Sequence, residues 1–286
     1  TYSIPLFFMV NGYLLLGKNG ISYSYILQKI KWILVTVSIW TLIIWIYKRD
    51  FSENPIKKVL GSLLQRGYFF QFWFFGALIL IYLCLPILKK FLKSKKRYLL
   101  VLSVLVIIGL VVELTNILLQ MPVQVYVIQT FRLWTWFFYY ILGGFLAQFS
   151  LDTLKKCFRS WMKEITVVLL FASPLILFML AKYIHHNLFA EYFYDSIFVK
   201  VVSLGTFLTV LTFDLNTDKN RWIIDLSNQT MGVFVIHTYV MKVWEKSVGF
   251  SFAGAHLFFL IFTLSVSFIV VGILMKIPYF NRIVKL

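Results

Sequence analysis

Two ionisable side chains lie within or beside long apolar stretches, where charged residues are uncommon. His237 falls within LSNQTMGVFVIHTYVMKVW, and Arg132 opens the aromatic segment FRLWTWFFYYILGGFLAQ. An imidazole in such a place can act as a general base, and a guanidinium can hold an anion or a developing negative charge. A histidine bonded to a neighbouring helix and an arginine that extends toward the membrane interface are the structural alternatives, and both remain open.

Other polar and aromatic residues interrupt the same apolar stretches. In SIPLFFMVNGYLLLG a glycine stands between Asn11 and Tyr13, a pattern that also serves close helix packing. Three carboxylates are expected near one membrane boundary, where they either bind hydroxyl groups or are ordinary helix-end charges: Glu113, Glu191 and Asp195. The aromatic candidates for ligand contact are Trp73, Tyr82, Trp136 and Tyr140.

Basic residues concentrate in short segments between the apolar stretches. The densest run contains Lys89 and Lys90 and continues to Arg97, and a second group contains Lys155 and Arg159. Retention of positive charge on the cytoplasmic side explains such runs. A phosphate-bearing ligand would also be attracted to them, so both interpretations stay open.

Metal and redox chemistry find little support in the sequence. Cys84 and Cys157 lack the spacing of a metal site, and no cluster of His, Asp and Glu has ligand spacing. The sequence therefore predicts no metal. The remaining histidines, His185, His186 and His256, are expected in solvated or interfacial positions.

The composition shows what must position these residues. The chain has 286 residues, 60% of them hydrophobic and 14% charged, with a mean hydropathy of +0.84. Soluble domains carry about 25% charged residues, so a water-soluble globule is excluded. The net charge of +17 is spread over connections between apolar segments, which excludes a nucleic-acid-binding domain and indicates contact with membrane lipids.

The sequence predicts an all-α polytopic transmembrane helix bundle in one domain, residues 1–286. A membrane span needs about 20 mostly apolar residues. Nine stretches approach this length: 1–17, 30–47, 69–88, 98–118, 131–149, 164–182, 196–213, 228–245 and 254–276.

The distribution of Lys and Arg predicts the orientation of these spans. It places the C-terminus in the cytoplasm and residue 1 outside. The connection 48–68 is an exception, because it is rich in Lys and Arg and yet falls on the outer side. An external N-terminus also leads us to expect one further helix before Thr1. The protein would then have about ten spans, with both termini in the cytoplasm.

Four of these segments, in order along the chain, resemble the acyltransferase 3 family of bacterial integral-membrane O-acyltransferases. The matching features are the Pro-Leu-Phe-Phe and Asn-Gly-Tyr of the first segment, a Trp-rich helix that ends in Tyr and Pro, an aromatic helix that ends in Gly-Gly, and a late helix from Gly232 to His237. Asn11 stands where the family usually has Ser. The family's first helix, with its Arg and its principal His, would precede Thr1.

The resemblance implies transfer of an acyl group, usually acetyl from acetyl-CoA, to a hydroxyl of a cell-surface polysaccharide or its lipid-linked precursor. It implies a bacterial plasma membrane location. Within this chain the residues themselves make His237 and Arg132 the candidates for catalysis, and Lys89, Lys90, Lys155 and Arg159 the candidates for donor contacts. The acceptor contacts would be Asn11, Tyr13, Trp73, Tyr82, Trp136 and Tyr140. If the principal His lies upstream, the 286 residues alone are expected to be inactive. The alternative is an exporter or flippase for polysaccharides or small solutes, and a membrane regulatory module is a weaker third hypothesis. The sequence does not determine the oligomeric state.

Overall fold

The computed structural model describes residues 2–18, 20–187, 192–213, 220–249 and 255–278. Within these ranges the chain is α-helical with short 3-10 turns and contains no strand, which confirms the predicted fold class. The helices are α1 (Ser3–Gly17), α2 (Tyr23–Tyr47), α3 (Pro55–Leu63), α4 (Trp73–Phe91), α5 (Lys95–Leu119), α6 (Leu133–Leu146), α7 (Leu151–Cys157), α8 (Ser160–Tyr183), α9 (Ile197–Leu211), α10 (Arg221–Ser247) and α11 (Ala255–Leu274).

Each of the nine predicted stretches contains a long helix, but these helices differ in their ability to cross a bilayer. Five helical segments of the described residues are long and apolar enough: Tyr23–Tyr47, Phe70–Phe91, Lys95–Leu119, Ser160–Tyr183 and Ala255–Leu274. Helices α1, α6 and α9 are apolar but shorter. At about 1.5 Å per residue, they span less than the roughly 30 Å of a bilayer's hydrocarbon core.

The chain divides into two compact units. Unit 1 comprises Thr1–Leu27, Leu63–Arg66 and Phe72–Phe213, and unit 2 comprises Gln28–Ser62, Gly67–Gln71 and Asp214–Leu286. In unit 2, α10 packs on α11 through Trp244, whose ring centroid lies 5.1 Å from that of Phe262. The short helix α3, which the sequence did not predict, lies in the connection after α2.

Unit 1 is organised around the parallel helices α1 and α6. Gly12 lies directly against the main-chain carbonyl of Tyr140, and Gly143 lies against the carbonyl of Met9, so a methyl group at either glycine would collide with backbone. Small residues permit this approach in membrane helices, where packing rather than hydrophobicity drives association. The glycines of the sequence pattern therefore set the spacing of the central helix pair.

Candidate functional site

A pair of hydrogen bonds joins α1 to α4 in the interior of unit 1. The Tyr82 hydroxyl donates to Asn11 Oδ1 at 2.8 Å, and Asn11 Nδ2 donates to the Phe7 carbonyl at 2.9 Å. The neighbouring Tyr140 is fully buried, and its hydroxyl has no hydrogen-bond partner among the described residues. Three of the predicted acceptor contacts therefore place polar groups in unit 1: Asn11, Tyr82 and Tyr140.

The predicted tryptophans pack on each other in an aromatic core. The Trp136 ring is stacked on Phe8 with centroids 5.1 Å apart, and it lies 4.9 Å from the ring of Trp73. The indole N–H of Trp136 donates to the Gln129 carbonyl at 2.7 Å. Both tryptophans are buried, so their faces are occupied by protein. Tyr13 is half-buried, with its ring 5.9 Å from that of Phe207 on α9.

Arg132 is buried just before α6, with 3% of its surface exposed. Its Nε donates to the Val127 carbonyl at 2.8 Å, and a terminal nitrogen donates to the Gln124 carbonyl at 2.9 Å. The guanidinium also lies 5.2 Å from the centroid of the Tyr192 ring. The side chain therefore ties the loop between α5 and α6 to the start of α6, an arrangement that fixes this loop.

Asp195 is the centre of a buried polar cluster at the start of α9. Its carboxylate accepts hydrogen bonds from the Thr135 hydroxyl at 2.5 Å and from Gln124 Nε2 at 3.2 Å. Gln124 is held in turn by Asn116, whose Nδ2 donates to Gln124 Oε1 at 2.9 Å. These bonds join the start of α9 to α6 and to the loop that contains Gln124, and the Asn116–Gln124 bond extends the network to α5.

Lys200 supplies positive charge beside this cluster. Only 4% of the side chain is exposed, and its ammonium group donates to the main-chain carbonyl of Asp195. Gly109 on α5 makes room for it, because a Cβ there would meet the ammonium nitrogen. Glu113, also on α5, accepts from the Ile197 N–H at 3.0 Å and so satisfies a donor at the start of α9.

His185 differs from its sequence-based expectation. The expected position is solvated or interfacial, but the side chain is only 6% exposed and therefore not solvated, and its ring lies edge-on to Phe193 with centroids 5.2 Å apart. Burial lowers the pKa of this imidazole, and the negative charge of Glu113 opposes that shift. Glu191 lies outside the described residues.

These residues define the Asp195 end of unit 1, where α5 and α8 end and α6 and α9 begin. The helix directions place a different set of side chains at the opposite end, called here the cationic end. There α1, α4 and α6 end and α5 begins. The Lys89 ammonium donates to the Lys18 carbonyl, and the Lys95 ammonium lies 4.0 Å from the centroid of the Phe149 ring.

The predicted donor residues fall at or next to the cationic end. Lys89 is partly exposed and Lys90 is exposed at the end of α4, Lys155 is partly exposed in α7, and Arg159 is exposed immediately before α8. The contact between Lys95 and Phe149 shows that the basic run of residues 89–97 adjoins the connection that leads to α7. Two groups of cations that are separate in the sequence therefore share one end of the bundle.

His237 belongs to unit 2, whereas Arg132 belongs to unit 1. The imidazole is partly exposed on α10, and its Nδ1 lies 3.1 Å from the Val233 carbonyl. Because a carbonyl only accepts hydrogen bonds, this contact favours the tautomer that is protonated at Nδ1. In that tautomer Nε2 carries a lone pair that is available to accept a proton.

No group of three or more His, Cys, Asp or Glu residues in the described part of the chain could hold a metal ion. A family model described as an acyltransferase domain matches residues 1–275. No curated protein and no solved structure matches the chain. The match covers almost the whole sequence, including every helix described above, and the chain therefore belongs to the acyltransferase 3 family of membrane acyltransferases.

Proposed function

We propose that this membrane acyltransferase transfers an acetyl group from acetyl-CoA to a hydroxyl of a cell-surface polysaccharide or its lipid-linked precursor. The protein would act in a bacterial plasma membrane with its C-terminus in the cytoplasm. The observation that supports this proposal is the difference in exposure of the cations at the two ends of unit 1. One end offers exposed cations, whereas the cations of the other end, Arg132 and Lys200, are buried near carboxylates and amides among aromatic rings.

The cationic end supplies the donor side of the proposal. Coenzyme A carries several phosphate charges, and ammonium and guanidinium groups are their natural partners. Lys89, Lys90, Lys155 and Arg159 are the proposed contacts, with Lys95 beside them. Positive charge on partly exposed side chains also attracts the anionic donor over a distance of about one Debye length, roughly 8 Å at physiological salt.

The interior of unit 1 supplies polar groups for the acyl carbonyl and the acceptor hydroxyl. The Tyr140 hydroxyl can donate a hydrogen bond, and the Tyr82–Asn11 pair can exchange its present bond for one to a ligand. In a site without bulk water such donors stabilise a developing oxyanion strongly. Trp73 and Trp136 hold these helices in register through their stacking, and Tyr13 is the proposed contact on the open side of α1.

The proposed reaction is a direct displacement at a thioester. The acceptor oxygen forms a bond to the acyl carbon, the carbon–sulfur bond breaks, and the hydroxyl proton passes to a base. Coenzyme A then leaves as its thiol after it receives a proton. His237 is the proposed base within this chain, because its Nε2 lone pair is available in the tautomer favoured by Val233.

The proposal is tested with the purified full-length protein in lipid nanodiscs, acetyl-CoA labelled in the acetyl group and candidate polysaccharides. We expect label in the polysaccharide and an equal amount of released thiol. His237→Gln should reduce the rate by about a hundredfold or more, as expected for loss of a general base. The matched control is His186→Gln, which alters an exposed imidazole.

An exporter or flippase would give a different result. It would move unmodified polysaccharide across the membrane of proteoliposomes without releasing thiol. The label in the polysaccharide would then stay at background for both the wild type and His237→Gln. Labelled polysaccharide that is formed equally by the wild type and His237→Gln would retain the acyltransferase and remove His237 as its base.

A further inference from the structure

Helix α3 (Pro55–Leu63) exposes two large apolar side chains, which a helix on a water-soluble surface would turn inward. A helical period of 3.6 residues places Ile56, Val59, Leu60 and Leu63 on one side and Lys57, Lys58, Gly61 and Ser62 on the other. A helix on a water-soluble surface turns its apolar side inward. In α3, Val59 is half-buried and Leu63 is buried, but Ile56 and Leu60 are exposed.

Two residues of the polar side of α3, Lys58 and Ser62, contact the folded connection around it. The Lys58 ammonium lies 3.3 Å from Asp50 Oδ2 and 3.9 Å from Glu53 Oε2, and it lies 5.1 Å from the centroid of the Tyr68 ring. The Tyr68 hydroxyl donates to the Asp50 carboxylate. Ser62 is fully buried and packs against Gly67. These contacts hold α3 in a fixed orientation.

The apolar side of α3 faces outward at its first two turns. Ile56 is 67% exposed and Leu60 is 54% exposed, while Leu63 at the end of the helix is buried. Phe51, in the turn before α3, is also exposed. A bilayer interface would cover such side chains, because interfacial helices bury an apolar face at the boundary between headgroups and acyl chains.

The position of α3 in the chain places it at a bilayer surface. It lies between Tyr23–Tyr47 and Phe70–Phe91, which are both long and apolar enough to cross a membrane. Two exposed cations lie in the same connection, since Arg49 precedes α3 and Lys57 lies in its first turn, and neither carries any of the ion pairs described in this unit. Lys58 is compensated by Asp50 and Glu53, so the cations that remain for external anions are fewer than the sequence count implies.

We propose that α3 is an interfacial helix that inserts Ile56 and Leu60 at the headgroup boundary and binds anionic lipid headgroups through Arg49 and Lys57. The partner is the surface of an anionic bilayer, selected by charge complementarity and by the exposed apolar pair Ile56 and Leu60 on the same helix as Lys57. This surface is independent of the acyl-transfer reaction, and it gives the unusually basic connection 48–68 a role in lipid binding.

The test is hydrogen–deuterium exchange of the full chain in two kinds of nanodisc, one of phosphatidylcholine alone and one with a third phosphatidylglycerol. We expect exchange across residues 50–60 to be about fivefold slower in the anionic discs, the scale expected for a basic residue near an anionic surface. Arg49→Asn/Lys57→Gln should remove this dependence on lipid. Lys242→Gln/Lys246→Gln, which removes the same charge from exposed positions of α10, should retain it.

A second variant tests the apolar contact. Ile56→Ser/Leu60→Ser changes only exposed side chains, and it should accelerate exchange of α3 severalfold in both kinds of disc. Identical exchange of the wild type in the two lipids would overturn headgroup binding. Unchanged exchange of Ile56→Ser/Leu60→Ser, with an unchanged unfolding temperature, would overturn insertion of α3.

Discussion

The two ends of unit 1 contain similar cationic groups in opposite circumstances. At the Asp195 end, Arg132 and Lys200 are buried, and their described hydrogen bonds run to main-chain carbonyls. At the cationic end, Lys90 and Arg159 are exposed. The comparison teaches that the type of residue does not decide its role, because the same positive charge fixes a loop at one end and remains available to ligands at the other.

Among the substitutions that compare the two ends, removal of the Asp195 carboxylate should have the largest effect on the free energy of unfolding. Asp195→Ala leaves Thr135 and Gln124 without their acceptor, and it removes one of the two carboxylates, with Glu113, whose charge acts on the buried Lys200. We expect the free energy of unfolding to fall by about 3–5 kcal/mol, measured by chemical denaturation in detergent. The control is Asp152→Ala at an exposed position in α7, where a change above about 0.5 kcal/mol would contradict the contrast.

Substitution of one basic residue type by the other compares the two ends of unit 1 directly. Arg132→Lys cannot maintain both carbonyl bonds with the same geometry, and we expect it to cost about 2 kcal/mol of unfolding free energy. Lys90→Arg, at an exposed site, should leave the unfolding midpoint unchanged. Equal midpoints for the two variants would show that Arg132 does not hold the loop.

Neutralisation of the cationic end should change ligand affinity and leave stability intact. For Lys89→Gln/Lys90→Gln we expect the KM for acetyl-CoA to rise about tenfold at low salt, with a smaller rise at high salt because ions screen the attraction. The kcat and the unfolding midpoint should remain those of the wild type. Lys182→Gln, exposed at the last turn of α8, is the control. An equal rise in KM for this control would indicate a general charge effect.

The smallest expected effect concerns pH at the Asp195 end. Burial lowers the pKa of His185 below its ordinary value of 6.5, so the unfolded chain binds its proton more readily than the folded chain. The stability that depends on His185 is therefore complete above this value and declines as the pH falls through the window below it. His185→Gln should flatten the decline in unfolding free energy between about pH 7.5 and about pH 5.5 relative to the wild type. An unchanged slope would assign the decline to other groups, and His186→Gln is the control.

The helices were largely predictable because apolar runs of this length have few structural alternatives to a helix in water or lipid. The boundary of α2 was less so, since it begins at Tyr23 rather than residue 30 and includes Lys29 and Lys31 in its first turns. The sequence did contain a signal for α3, namely the helical spacing of Ile56, Val59, Leu60 and Leu63. The five basic residues of the same connection make its composition polar, which obscures this helical period.

The polar contacts were less predictable because their partners are far apart in the chain. Arg132 was identified as a candidate, but its acceptors are carbonyl oxygens, which no residue type reveals. Asn11 and Tyr82 were both named without any indication that they are bonded to each other. Lys200 was missed, although a lysine within an apolar helix is costly in a membrane and therefore indicates a function or a buried partner.

The close contact of α1 with α6 has a consequence for how the protein is made. Gly12 and Tyr140 are separated by about 130 residues, which a ribosome adds in roughly 6–26 s at typical rates. During this interval α1 leaves the ribosome without the helix against which its glycine packs, and it is itself shorter than a full membrane span. During biogenesis of this acyltransferase, the insertion machinery or helices already inserted must therefore contact α1 in place of α6 until α6 is synthesised.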